Sequence, residues 1–481
     1  MVKHYTLMVP GFDSSGEKLE VTAPFDSQVI ATCDLANEAV IEQALQTAAK
    51  LFQDKLEYIP LRERLKILER AAAIMQEEDE DLAFSAAQEG GKPLIDSRVE
   101  VARAIDGMKI CIETMRTEAG TVVPMGVNDA SARKLAVTRR EPIGVVVAVS
   151  AFNHPLNLIV HQVAPAIAAG CPVIVKPAKK TPLSCFRFVQ ILREAGLPDA
   201  WCQVVVIGSS DLSTRLVADE RVDFFSFIGS ARIGWMLRSK LTPGARCALE
   251  HGGVAPVIVA EDADMSTTVP KLVKAGFYHA GQVCVSVQRI YAHEHIAVEL
   301  AEKIAEVAKT QKIGDPISAD TEIGPLIDPA EVNRIDEWVK EAIAGGAELL
   351  CGGKPVSETC YECTVLLNPP ENARVSTHEL FGPVVCVYTY QDVDEAVERA
   401  NRLPFSFQAA VFTKDIDLAM KLFASLNGSA VMVNEHTAFR VDWMPFAGLK
   451  QSGYGTGGIP HTIRDMQVEK MLVIHSDELP D

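Results

Sequence analysis

Basic residues are the scarce class in this chain: 46 Lys and Arg stand against 64 Asp and Glu, a formal charge of −18. That deficit excludes general binding to nucleic acid or to an anionic membrane, because long-range repulsion opposes both, and any anionic ligand must find a local basic pocket. Long apolar runs are missing too. No stretch approaches the ~20 residues of a membrane span, and the N-terminus has neither the basic start nor the apolar core of a signal peptide. A cytoplasmic protein with no membrane partner is expected. There is no internal repeat, low-complexity tract or long linker, and the eleven cysteines form no repeating framework, which fits a reducing compartment. Cys360-Tyr361-Glu362-Cys363 lacks a second pair and reads as a surface hairpin. His293-Glu294-His295 is too short for zinc and reads as a solvated turn, so no metal site is expected.

What is present is ample apolar material. With 481 residues, 48% of them hydrophobic, the chain can bury a large core and divide into two or three domains. After a short N-terminal hairpin, apolar residues at three- and four-residue intervals predict helices over 38–52, 61–76, 78–88 and 99–116. From Glu141 the pattern changes. Apolar runs at 143–149, 173–176, 203–207, 223–227 and 246–250 alternate with helical stretches, predicting a doubly wound parallel sheet for a dinucleotide. A second α/β series starts after Gly253, with 256–260 as its first strand and Cys284 entering another, and runs to about Gly448. Segments 121–140 and 471–475 are strand candidates remote from both series. The expected division is 1–120 with 141–252 as the dinucleotide-binding domain, 253–448 as the catalytic domain, and 121–140 with 449–481 as a small β element.

The chemistry centres on Gly281-Gln282-Val283-Cys284 and, upstream, Leu249-Glu250-His251-Gly252-Gly253. A thiolate can add to a carbonyl and a carboxylate can later activate water, so the pair divides one difficult oxidation into two easier steps. Around it, in order, stand Phe152-Asn153-His154-Pro155, Val175-Lys176-Pro177, Ile228-Gly229-Ser230, Glu379-Leu380-Phe381-Gly382-Pro383 and Pro445-Phe446-Ala447-Gly448. Together these motifs resemble the aldehyde dehydrogenase superfamily over nearly the whole chain. The resemblance implies that fold: a Rossmann-like cofactor domain, an α/β catalytic domain and a small β oligomerisation element that builds a homodimer or homotetramer. It implies Cys284 as nucleophile, Glu250 as base, and Asn153 with the Cys284 amide as oxyanion donors. Glu250 also sets the chain apart from the coenzyme A-acylating semialdehyde dehydrogenases, which typically lack it. Those enzymes, and a non-catalytic member of the fold, stand as the alternatives. His251 departs from the small or aliphatic residue usual at its position.

No G-x-G-x-x-G follows the first strand of the nucleotide sheet. Gly453-Tyr454-Gly455-Thr456-Gly457-Gly458 matches it but reads as a glycine turn without a preceding strand or a convincing following helix. The resemblance instead implies that Lys176 contacts the adenosine ribose, Gly229 and Ser230 open a helix near the pyrophosphate, Glu379 holds the nicotinamide ribose, and Phe381 packs near the ring. Where NAD-preferring members carry a glutamate, this chain has Lys179, followed by Lys180. A cation there favours NADP, with NAD tolerated; the alternative is that both lysines solvate a loop.

For the substrate, Arg440 lies on the loop that lines the entrance in this family, and with His154 and Arg103 it would form a cradle for a phosphonate, sulfonate or carboxylate, similar to that of phosphonoacetaldehyde dehydrogenases. Val283 stands where that branch carries arginine, which favours a neutral short aldehyde such as lactaldehyde, with Arg440 then paired only with Asp442. Phe439 and Trp443 are expected to narrow the entrance. A short polar aldehyde fits both readings.

Overall fold

A computed structural model describes residues 2–12 and 16–480. The apolar runs do become buried parallel strands. In space their order is Cys202–Val204, Val173–Lys176, Val146–Val149, Phe224–Ile228 and Arg246–Glu250. Chain order therefore reverses at Val146–Val149, and a crevice opens beyond the carboxyl ends of that strand and its neighbour Phe224–Ile228, the place where such sheets receive ligands. Ser150 to Asn153 and Gly229-Ser230 follow those two strands directly.

The C-terminal segment corrects two expectations. Gly453–Tyr454 adds a sixth, antiparallel strand beside Arg246–Glu250, and the helix Ile459–Asp465 follows it. Ile459 and Ile463 of that helix pack into the core of the six-stranded body. Residues 453–465 therefore lie on this body rather than with the small β element. The glycine run between strand and helix is still no dinucleotide fingerprint, because the strand is an antiparallel edge and not the first of a βαβ unit.

The second body holds a seven-stranded sheet in the order Glu348–Cys351, Thr364–Leu367, Val384–Tyr390, Arg289–His293, Pro256–Val259, Gln408–Phe412 and Ala430–Val433, parallel except for its first pair. Cys284 does not enter a strand. It sits on a turn five residues ahead of Arg289–His293. Cys360 and Cys363 are not on the surface either; both are buried, and Cys363 belongs to the core of this body. His293-Glu294-His295 does form a turn, with His295 exposed and 2.7 Å from Glu261.

A third sheet pairs Gln467–His475 with Lys134–Pro142, flanked by Val122–Val123. Met471, Leu472, Val473 and Ile474 on its outer strand are exposed. The N-terminal helices Glu38–Gln53, Leu61–Glu77, Asp79–Gly90 and Leu94–Thr117 run close to the spans read from their periodicity. No helix among the described residues is long and apolar enough to cross a membrane.

Candidate active site

One cavity of about 550 Å³ runs from the end of the six-stranded sheet to the Cys284 turn. It is lined by Cys284, Glu250, Asn153, Lys176, Gly229, Ser230, Glu379, Phe381, Arg103, His154 and Arg440. Eleven of the side chains or turns singled out in the sequence thus meet in one space. Lys179 does not line it: its ammonium is exposed and donates to the Gly208 carbonyl at 3.3 Å, while Lys180 pairs with Asp328 at 2.8 Å.

At the chemical centre the Cys284 thiol lies 3.9 Å from Glu250 Oε1, so the thiol rests against the base. Val283, Val285, Phe407 and Phe446 form a small apolar cluster around it. Burial pushes the Cys284 thiol well up, the Glu250 charge adds to that, and Arg440 opposes it. Burial likewise raises the Glu250 carboxyl, against the pull of Arg440 and Arg103. Burial thus disfavours charge on both groups, and the cationic Arg440 opposes it at both.

Asn153 Nδ2 donates to the Gln282 carbonyl at 2.9 Å. A side-chain amide has two N–H donors, so the second stays available in the cavity that Asn153 shares with Cys284. The Gln282 side chain is itself pinned: its Oε1 accepts from Ile327 N at 3.0 Å and its Nε2 donates to Pro325 O at 3.2 Å. Behind Asn153, the Glu100 carboxylate accepts from the Leu156 and Asn157 amides at 2.9 and 3.0 Å, and fully buried Lys92 pairs with Glu100. Removing either member alone would leave an uncompensated buried charge, which ties this turn to the interior.

Arg103, His154 and Arg440 line the cavity together, but they are not equally free to hold an anion. Arg103 spends its fork on Asp442, with Nη2 to Oδ1 at 2.6 Å and Nε to Oδ2 at 3.1 Å. His154 is buried beside Tyr278 and His279, and burial holds its pKa well below the ordinary value, so its ring is neutral. Burial alone would raise Asp442, but hydrogen bonding from His161 and the charge of Arg103 outweigh it and hold the carboxyl far below its usual range. Arg440 is left over. Its guanidinium stacks 3.5 Å from the Phe446 ring centre, its Nε has no hydrogen-bond partner, and it stands 3.5 Å from Asp442 Oδ1. Phe439 and Trp443 are exposed and do not line the cavity, so neither narrows it; Tyr278 and Phe446 do.

Sequence reasoning missed His161, whose Nε2 lies 2.9 Å from Asp442. Its spacing of four from Asn157 on the helix Asn157–Ala169 places both on one face and was the available signal. The Arg103–Asp442 bond spans 339 residues and leaves no local trace.

Two groups in the cavity test whether a dinucleotide fits. Lys176 ends its strand with an ammonium that makes no bond to another described residue, and burial with Lys179 nearby brings it down to about 8. Glu379 Oε1 is buried without a partner, and burial pushes this carboxyl up to about 7. Gly252 has no side chain for a reason: a Cβ there would overlap the Glu379 carboxylate. Between the two, Ser230 precedes the helix Ala231–Arg238 and its hydroxyl caps none of the helix amides. A donor, an acceptor and an uncapped helix start are what two riboses joined by a pyrophosphate require.

Comparison with known proteins agrees with this geometry. The aldehyde dehydrogenase family profile matches residues 12–472. A 3-sulfolactaldehyde dehydrogenase from Priestia aryabhattai is 35% identical over 476 residues, 98% of each chain. Aldehyde dehydrogenase 21 from Physcomitrella patens, solved with the reaction product succinate, superposes with a TM-score of 0.95 at 34% identity over 99% of each chain. Glyceraldehyde-3-phosphate dehydrogenase from Methanocaldococcus jannaschii, solved with NADP, gives 0.91 at 32% identity, covering 96% of this chain and 100% of that one.

Proposed function

This chain belongs to the aldehyde dehydrogenase family, and from that premise we propose that it oxidises a short aldehyde bearing an anionic group to the carboxylic acid. It is an NAD(P)-dependent oxidoreductase. The observation that carries the substrate class is Arg440: a buried guanidinium whose Nε has no hydrogen-bond partner lines the cavity, while of the two nearby carboxylates Asp442 is hydrogen-bonded by Arg103 and His161 and Glu250 is the base. The unpartnered Nε of Arg440 would give an anionic substrate group a charged donor inside the cavity. The names of the three proteins cited above carry a sulfonate, a dicarboxylate product and a phosphate, while other relatives at 30–33% identity are named lactaldehyde dehydrogenase.

In this reading Cys284 Sγ bonds to the aldehyde carbon and its proton passes to Glu250. The carbonyl electron pair moves onto oxygen, where the free Asn153 N–H and the Cys284 amide receive it. A nicotinamide held in this cavity would supply the acceptor for the hydride of that carbon. A thioester on Cys284 remains; once Glu250 has released the thiol's proton to solvent it takes a proton from water, the water oxygen attacks, and the acid departs as the C–S bond breaks and the sulfur takes that proton from Glu250.

Lys176 and Glu379 would hold the two riboses, Gly229-Ser230 the pyrophosphate and Phe381 the nicotinamide face. The loop 177–180 has no carboxylate to repel a 2′-phosphate, which favours NADP over NAD, although Lys180 is taken by Asp328 and Lys179 stands outside the cavity. The six-stranded body is the cofactor-binding unit and the seven-stranded body the catalytic one. A homodimer or homotetramer would cover the apolar outer strand Gln467–His475 and the exposed Ile416, Met420 and Phe423 beside the edge strand Ala430–Val433.

Arg440→Met tests the substrate assignment. It should lower kcat/KM for succinic semialdehyde or sulfoacetaldehyde about 100-fold more than for lactaldehyde, ~2.7 kcal/mol, any loss common to both reflecting the charge Arg440 places beside Cys284 and Glu250. Equal losses on charged and neutral aldehydes would sink the assignment.

A further inference from the structure

His251 stands next to the base, yet its ring turns away from the thiol. Nδ1 lies 2.9 Å from the Gly229 carbonyl. A carbonyl only accepts, so Nδ1 carries the proton and the neutral ring is fixed in one tautomer. Nε2 is buried with no partner, and the imidazole lies edge-on to Phe227 and Trp235, with centroids 5.6 and 5.8 Å away. Space for it is made on the helix Ala231–Arg238, where a Cβ at Gly234 would overlap the ring.

The backbone completes a closed circuit. Gly229 N donates to the Glu250 carbonyl at 3.0 Å, and His251 N donates to the Ser452 carbonyl at 3.0 Å. The turn after the strand Phe224–Ile228 is thus tied twice to the strand that carries the base, once through Glu250 and once through the His251 ring. An aliphatic side chain could fill the same volume but could not bind the Gly229 carbonyl.

We propose that His251 is a positioning residue for the cofactor: by holding the Gly229 carbonyl it fixes the Gly229-Ser230 turn, so that the helix-start amides point into the cavity. This rests on the reading that the turn holds the cofactor's pyrophosphate. Because the circuit touches the base only through its backbone carbonyl, the effect falls on cofactor affinity and not on the chemical step.

The test measures NADP+ binding by calorimetry, and kcat at saturating NADP+, on the full-length protein and three variants, His251→Leu, His251→Gln and Ser230→Asp, each checked by thermal melting. His251→Leu should raise the cofactor Kd about tenfold and change kcat less than threefold. His251→Gln keeps an N–H donor and should recover most of that loss. Ser230→Asp puts a negative charge in the turn and should weaken binding at least as much. If Ser230→Asp weakens binding and His251→Leu does not, the positioning role is wrong while the pyrophosphate reading stands. If neither changes the Kd, both are wrong. A loss with His251→Leu but not with Ser230→Asp overturns the route through the turn, and so does a loss that His251→Gln fails to recover.

Discussion

Glu250→Gln is expected to produce an enzyme that forms about one acyl group per Cys284 and then stalls, with steady-state turnover down roughly 10³-fold, within the range for loss of a positioned general base. Two features of the site separate the half-reactions. The Glu250 charge is one of the causes that raise the Cys284 thiol, so a neutral amide removes a penalty on forming thiolate even as it removes a proton acceptor. Attack therefore survives better than hydrolysis. Water has no such compensation and needs the carboxylate directly. Rapid-quench analysis should show a burst close to one equivalent and a Cys284 peptide heavier by the acyl group. Burial raises Glu250, so wild-type deacylation should fall as pH drops through that raised pKa, and the variant should lose this limb. A variant that turns over linearly at close to the wild-type rate would remove Glu250 from the hydrolytic role.

Asn153→Ala should lower kcat by about 10²–10³, ~3–4 kcal/mol of oxyanion stabilisation, with KM for the aldehyde within a few-fold. The asymmetry follows from where the amide points. One N–H is spent on the Gln282 carbonyl and is present throughout the cycle; the other gains its strong acceptor only when the carbonyl oxygen becomes charged. Truncation also leaves the Gln282 carbonyl without its donor, so melting should fall by an amount corresponding to about 1–3 kcal/mol. Comparable falls in kcat and in affinity would mean that Asn153 binds the ground state and is no oxyanion donor.

These expectations divide according to what a linear sequence can carry. Parallel strands buried on both faces must be continuous apolar runs, so Val173–Lys176 was legible to the residue. Cys284 and Glu250 were legible because each sits in a compact motif, and the structure brings them within 3.9 Å. Gly453–Tyr454 was not, since a two-residue edge strand has no periodicity and owes its place to pairing with a strand some two hundred positions earlier. The substrate end was least legible. Nothing near Arg103 indicates that its fork is occupied by Asp442, or that burial keeps His154 neutral, and these two facts leave Arg440 as the charged member of the expected cradle with a free donor. Phe439 and Trp443 misled for the converse reason: large side chains on an entrance loop suggest a wall, but both face solvent.

The most direct test of the central claim is the initial rate of cofactor reduction by the wild-type protein with sulfoacetaldehyde, succinic semialdehyde, phosphonoacetaldehyde, lactaldehyde and hexanal, each with NADP+ and with NAD+. An anionic aldehyde should lead in kcat/KM by about 100-fold, ~2.7 kcal/mol of transition-state discrimination supplied by Arg440. If lactaldehyde or hexanal leads, Arg440 is a structural partner of Asp442, and the apolar wall of Val283 and Phe446 sets the specificity.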